Sequence, residues 1–167
     1  MNDVARNHSM NYRSSLLDEW NHNQPSEMNI TIRDDRNEIV AWLSFAVNAS
    51  DNLTSWFARS NLMKSYPWDV DWLLKMKYNY FSIQGHNRNR RRFYINFYLG
   101  GCNNDAGILG VFNTHDVCRY NIKPWKIPQV IYAFNSNKVA TNYELNAKSA
   151  KCLEIYGRYY SDLIIFF

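Results

Sequence analysis

The chain has 167 residues, of which 46% are hydrophobic and 20% charged, and it carries a formal net charge of +4. Those proportions exclude a disordered chain, and no apolar run approaches the ~20 residues that a membrane-crossing helix needs. The length allows one domain with a real core and some tail.

Residues 1–26 are polar and close on Pro25 and Ser26. They are expected to form a flexible N-terminal segment, with a helical turn or two at Ser14–Trp20. Residues 1–17 lack the apolar stretch of a secretory signal. The chain is therefore expected to be cytoplasmic, or the mature part of a secreted protein.

From Glu27 the pattern alternates with period two, and a single domain is expected over 27–167. Met28, Ile30 and Ile32 point one way and Asn29, Thr31 and Arg33 the other. Asp34-Asp35-Arg36-Asn37 is turn chemistry. Glu38–Val47 returns as a strand with Ile39, Leu43, Phe45 and Val47 on one face. Asn48–Ser55 is a polar loop. Trp56–Leu74 does not alternate and is broken by Pro67, so it is expected to be a long ordered connection with one short helix.

Tyr78–Gly85 and Arg92–Leu99 are expected to pair as a hairpin across the basic turn His86–Arg91. Phe93, Ile95 and Phe97 would face the core, with Tyr94 and Tyr98 opposite. Ile108–Phe112, Gln129–Phe134, Cys152–Tyr156 and Ser161–Phe167 supply further strands, and Asn135–Lys151 is a polar loop or weak helix. About eight strands with long ordered loops and no βαβ spacing define an all-β fold, an antiparallel β-sandwich with a jelly roll as one variant.

Several groups are candidates for chemistry. Arg88, Arg90 and Arg91 could hold an anion through their planar forks, with Tyr94 adding a stacking face; the favoured alternative is a solvated hairpin tip with Arg92 packed along a Tyr face. Trp56, Trp68, Trp72 and Trp125 lie in loops or near proline, where aromatics either stack sugars or plug the open end of a sandwich. Asp105, beside Asn103 and Asn104 and paired with Asp116, offers calcium-type oxygen ligands without EF-hand spacing; its alternative role is as a turn residue. Asp69 and Asp71 form a second carboxylate pair. Neither pair can be placed at a glycosidase separation from sequence. His8, His22, His86 and His115 have no partner set at nucleophile or metal spacing, so no catalytic residue, metal site or cofactor is assigned, calcium remaining the one alternative. The sequons at Asn7, Asn29, Asn48 and Asn52 lean toward secretion, and Asn29, Asn48 and Asn52 are expected to be glycosylated. Cys102, Cys118 and Cys152 form neither a dense disulfide framework nor a metal pattern, and Cys152 is expected to be a small unpaired core residue.

The segments 42–68 (WLSFAVNASDNLTSWFARSNLMKSYPW), 80–111 (YFSIQGHNRNRRRFYINFYLGGCNNDAGILGV), 118–120 (CRY), 127–134 (IPQVIYAF) and 159–167 (YYSDLIIFF) together resemble a β-sandwich module of secreted, often multidomain, invertebrate proteins. Its most specific parts here are Trp56-Phe57, Arg91-Arg92-Phe93 and Gly100-Gly101-Cys102 with Asp105. The resemblance covers most of residues 28–167. It departs at Ile108, where the module would carry Trp. The resemblance implies an extracellular, non-catalytic domain and a Cys102–Cys118 disulfide, with two buried free thiols the alternative.

These readings give a non-enzymatic extracellular recognition or adhesion module, with carbohydrate the leading ligand class and a glycan or extracellular protein as partner. The first alternative is a structural module that binds only protein neighbours. The second is a small nucleic-acid-binding domain using residues 86–92, although so local a patch is not a nucleic-acid-binding face. Assembly state is left open.

Overall fold

The structure is a computed structural model, and it describes residues 15–77, 80–83, 91–98, 106–112, 129–136, 140–141, 146–159 and 163–166. Eleven strands lie among them: β1 (Glu27–Arg33), β2 (Ile39–Ala46), β3 (Leu62–Tyr66), β4 (Tyr80–Ser82), β5 (Arg91–Tyr98), β6 (Ala106–Phe112), β7 (Gln129–Ala133), β8 (Ala140–Thr141), β9 (Ala147–Ala150), β10 (Cys152–Arg158) and β11 (Leu163–Phe166). Among the described residues, helix is confined to 3-10 turns at Ser15–Glu19 and Arg59–Asn61 and to the short helix α1 (Val70–Lys75).

All paired strands are antiparallel. One sheet has the order β11-β10-β1-β2-β3. The other has the order β4-β5-β6-β7-β9, with β8 paired to β6. The all-β sandwich is therefore as expected. Consecutive strands mostly stay in one sheet, β1–β3 and the returning β10–β11 in the first and β4–β9 in the second, whereas a jelly roll would send them to opposite sheets. The return between sheets is abrupt. β9 ends at Ala150, β10 starts at Cys152, and the Lys151 N–H bonds the Arg33 carbonyl at 2.8 Å. A bend of this kind makes a sandwich corner.

The inner faces follow the alternation in the sequence. Met28, Ile30, Ile32, Leu43 and Phe45 from the first sheet meet Phe93, Ile95, Phe97 and Leu109 from the second, all buried. The Phe45 and Phe81 rings touch edge to face across the sheets at 6.1 Å. Burying a side chain of this size stabilises by roughly 1.5–3 kcal/mol, so this layer dominates the fold.

The β1–β2 turn is built by one carboxylate. Asp34 Oδ1 accepts the N–H groups of Arg36 and Glu38, each at 3.0 Å. Asn37 takes the left-handed conformation, φ 67°, which Asn tolerates better than most residues. The Glu38 amide chiefly, with help from Arg36, holds the Asp34 carboxyl below its ordinary 3.8 despite an opposing desolvation effect. A depressed folded-state value means that this contribution is present above the unfolded value and lost as pH falls through the folded one. Asp34→Asn should therefore be less stable than the parent at neutral pH. The gap, read from urea midpoints, should narrow as pH drops below about 4. A gap independent of pH would mean that the charge contributes nothing to the turn.

Several elements differ from expectation. Ile39 is half-exposed rather than in the core, because the register slips at Ile32/Arg33: Ile32 faces Ala41, while Arg33 faces Ile39. The extra residue reverses which way Ile39 points. The 56–74 connection contains strand β3 as well as the short helix, and 135–151 contains β8 and β9 where a polar loop or weak helix was expected. Residues 15–26 are tied down rather than loose. Trp20 is buried, its Nε1 donates to the Asp51 carbonyl at 2.9 Å, and Gln24 Nε2 reaches the same oxygen at 2.6 Å. Cys152 is free but only half-buried, and it sits on the outer face opposite Arg33.

Candidate functional site

The loop tryptophans in the described residues serve the core. Trp56 and Trp68 are 2% and 1% exposed. Trp56 Nε1 donates to the Leu53 carbonyl at 2.9 Å, and its ring meets Phe45 and Phe57 edge to face. Phe57 in turn packs against Phe93 in a tilted pair with ring centroids 4.5 Å apart. Trp68 donates to the Ala133 carbonyl at 3.0 Å, and nearby in sequence Trp72 meets Phe97. Phe93 and Phe97 lie on one face of β5, four residues or roughly 13 Å apart. The two aromatic groups therefore close opposite ends of the sandwich. Neither Trp56 nor Trp68 presents a ring to a ligand.

Tyr94 also fails as a contact residue. It is on the face opposite Phe93, as expected, yet only 5% exposed, with Asn96 beside it fully buried. Tyr80 and Tyr98 stay exposed on that face. Arg88, Arg90, Asp105, Trp125, Cys102 and Cys118 lie outside the described residues, as does the side chain of Arg91. Asn7, His8, His86, His115 and Asp116 lie outside them too. Asp69 is a helix cap, its carboxylate accepting the Trp72 N–H at 2.7 Å. Among the described residues, no three His, Cys, Asp or Glu side chains converge as a metal site would require.

Strand parity builds a different surface, on the outer face of the first sheet. Ala41, Leu43 and Phe45 point inward, which sends Trp42 and Ser44 out. Leu153 and Ile155 pack toward the core, which sends Glu154 and Tyr156 out. Register then aligns the outward residues. Tyr66 on β3 faces Trp42 on β2, which faces Thr31 on β1, which faces Glu154 on β10. In the next row Lys64 faces Ser44, Ser44 faces Asn29 and Asn29 faces Tyr156. Three aromatic rings thus share one sheet face. Tyr66 is 54% exposed, while Trp42 and Tyr156 are half-buried.

The charges on this face are paired. Arg33 Nε donates to both Glu154 oxygens, at 3.1 and 3.0 Å. Arg158 stands 3.9 Å from Glu27, whose other oxygen accepts the Ser44 hydroxyl at 2.8 Å. The Thr31 hydroxyl lies 3.5 Å from the Tyr156 hydroxyl. Lys64 is left at the rim. Such a face offers aromatic surface among polar groups with little uncompensated charge. Thr31, Ser44 and Asn29 are themselves buried, so the face presents chiefly the exposed Tyr66 and the half-buried Trp42 and Tyr156, whose rings can stack on the apolar face of a ring compound.

Cys152 at the border of this surface is no activated nucleophile. Burial pushes its thiol up, and the Glu154 carboxylate adds to the effect. The thiolate that nucleophilic chemistry requires is therefore disfavoured.

Sequence reasoning missed Trp42, Tyr66 and Tyr156. The alternation Ala41-Trp42-Leu43-Ser44-Phe45 already turns Trp42 outward; nothing in the sequence pairs it with Tyr66 or Tyr156. No family model matches the chain, and no curated protein or solved structure was found to resemble it. Among the described residues, no helix is long and apolar enough to cross a membrane.

Proposed function

We propose that this protein is a non-enzymatic, extracellular recognition domain that binds carbohydrate through the outer face of its first sheet. The observation that carries the reading is the alignment of Tyr66, Trp42 and Tyr156 on one rigid face whose charges pair with one another. Pyranose rings present an apolar face ringed by hydroxyls, and aromatic side chains flanked by polar groups match both parts. Glu154 engages Arg33 and Glu27 stands against Arg158, so among the described residues of this face only Lys64, at the rim, is left to attract an anion, which favours a neutral ligand. The extracellular placement rests on the resemblance to a module of secreted proteins.

The test is titration of the full chain with neutral linear oligosaccharides, followed by tryptophan fluorescence and chemical-shift changes. Binding is expected to survive raised salt. Binding to single-stranded nucleic acid that falls steeply with salt would replace this reading with the nucleic-acid alternative. No binding to either, together with an oligomer that grows with concentration, would make the face an assembly surface for protein neighbours.

A further inference from the structure

Three N-glycosylation sequons fall on described residues: Asn29-Ile30-Thr31, Asn48-Ala49-Ser50 and Asn52-Leu53-Thr54. The fold treats them differently. Asn29 is 8% exposed, in the middle of β1, between Tyr156 and Ser44. A sugar on its amide would have to push these neighbours aside.

Asn48 is exposed, but its amide nitrogen is committed. Nδ2 donates to Asp51 Oδ2 at 3.3 Å and to Asn61 Oδ1 at 3.2 Å. Asn61 is buried, and its own Nδ2 donates to Asp51 Oδ2 and to the Trp56 carbonyl, both at 3.2 Å. Asp51 Oδ1 accepts the Ser55 hydroxyl at 2.8 Å, and its Oδ2 also accepts the Asn48 N–H at 2.8 Å. A glycan on Asn48 would remove one N–H from this network and place a pyranose where the loop closes.

Asn52 has the opposite arrangement. Its Oδ1 accepts three bonds, from Thr54 N at 2.9 Å, Thr54 Oγ1 at 3.0 Å and Ser55 N at 2.9 Å. Its backbone N–H donates to Ser55 Oγ at 2.8 Å. A glycosylated asparagine keeps its side-chain carbonyl and alters only Nδ2. Every one of these bonds therefore survives modification. Asn52 is exposed, and the next residue, Leu53, is 38% exposed.

We propose that Asn52 is an acceptor for an N-linked glycan, and that the folded protein carries none at Asn29 or Asn48. In the transfer, Asn52 Nδ2 attacks the anomeric carbon of an oligosaccharide carried on a lipid diphosphate. The new N–C bond forms as the bond to the diphosphate oxygen breaks. The lipid diphosphate departs, and one amide proton is lost to the transferase. The proposal rests on the extracellular reading but not on the choice of carbohydrate as ligand. It also leaves the aromatic face open. The loop carrying Asn52 joins β2 and β3 at Ala46 and Leu62, whereas Trp42 and Tyr66 lie four residues away along each strand, roughly 13 Å.

The experiment places the full chain behind a cleavable secretion leader in eukaryotic cells. Each site's occupancy is then mapped by enzymatic deglycosylation in heavy-oxygen water and peptide mass spectrometry. The secreted pool should be occupied at Asn52 and unoccupied at Asn29 and Asn48. Thr54→Val should remove that glycan, and Thr54→Ser should retain it. Mapping the parent chain needs no variant to fold, and the intracellular pool is read if secretion is poor. An unmodified Asn52 in chain whose leader has been cleaved would overturn the proposal, as would a secreted pool occupied at Asn48 or Asn29. Because the leader supplies the compartment, a native chain found only in cytoplasm would sink the extracellular reading without altering this result.

Discussion

Replacing Trp68 with alanine is expected to destabilise the protein by about 3–5 kcal/mol, the largest effect of any single change considered. Trp68 is 1% exposed, so its removal opens a cavity the size of an indole at one end of the sandwich. The change also strands the Ala133 carbonyl, which loses its donor at 3.0 Å. Trp68→Phe should recover much of the packing and still lose the hydrogen bond, leaving a deficit of about 1–2 kcal/mol. Urea unfolding of the three proteins separates the two contributions. A Trp68→Ala loss under about 1 kcal/mol would mean that the ring is not a plug, since surface substitutions cost that little.

Trp42→Ala is expected to act mainly on binding, weakening oligosaccharide binding at least tenfold while lowering the unfolding midpoint less than Trp68→Ala does, because Trp42 is only half-buried. Trp42 takes no part in the core, whose neighbouring members Ala41, Leu43 and Phe45 point the other way. Central aromatic anchors contribute about 2 kcal/mol or more to recognition, and 1.4 kcal/mol is already a factor of ten. Tyr66→Ala and Tyr156→Ala should weaken binding less, as flanking contacts. Tyr80→Ala and Tyr98→Ala, on the outer face of the other sheet, should have no effect. If they abolish binding while Trp42→Ala does not, the ligand face has been assigned to the wrong sheet.

What the sequence determined by itself is what period-two alternation and turn chemistry encode. The residues 28, 30 and 32 set, the Asp34–Asn37 turn and the inward set Phe93, Ile95 and Phe97 all appear in the structure as read, because each depends on neighbours within one hairpin. The tertiary structure decided the rest. Strand β3, Leu62-Met63-Lys64-Ser65-Tyr66, has almost no alternation of its own and is a strand because β2 offers it a ladder. Strand β9, Ala147-Lys148-Ser149-Ala150, is polar at its centre and exists through its pairing with β7. Aromatic side chains were the least legible. A tryptophan is equally suited to filling a gap and to covering a ligand, so composition could not separate Trp68 from Trp42. Only the position of each ring relative to the two sheets does so, and that depends on contacts between residues as distant in sequence as Trp68 and Ala133. The aromatic face is likewise invisible in one dimension. Tyr66, Trp42 and Tyr156 come from three strands, and antiparallel register alone brings them together.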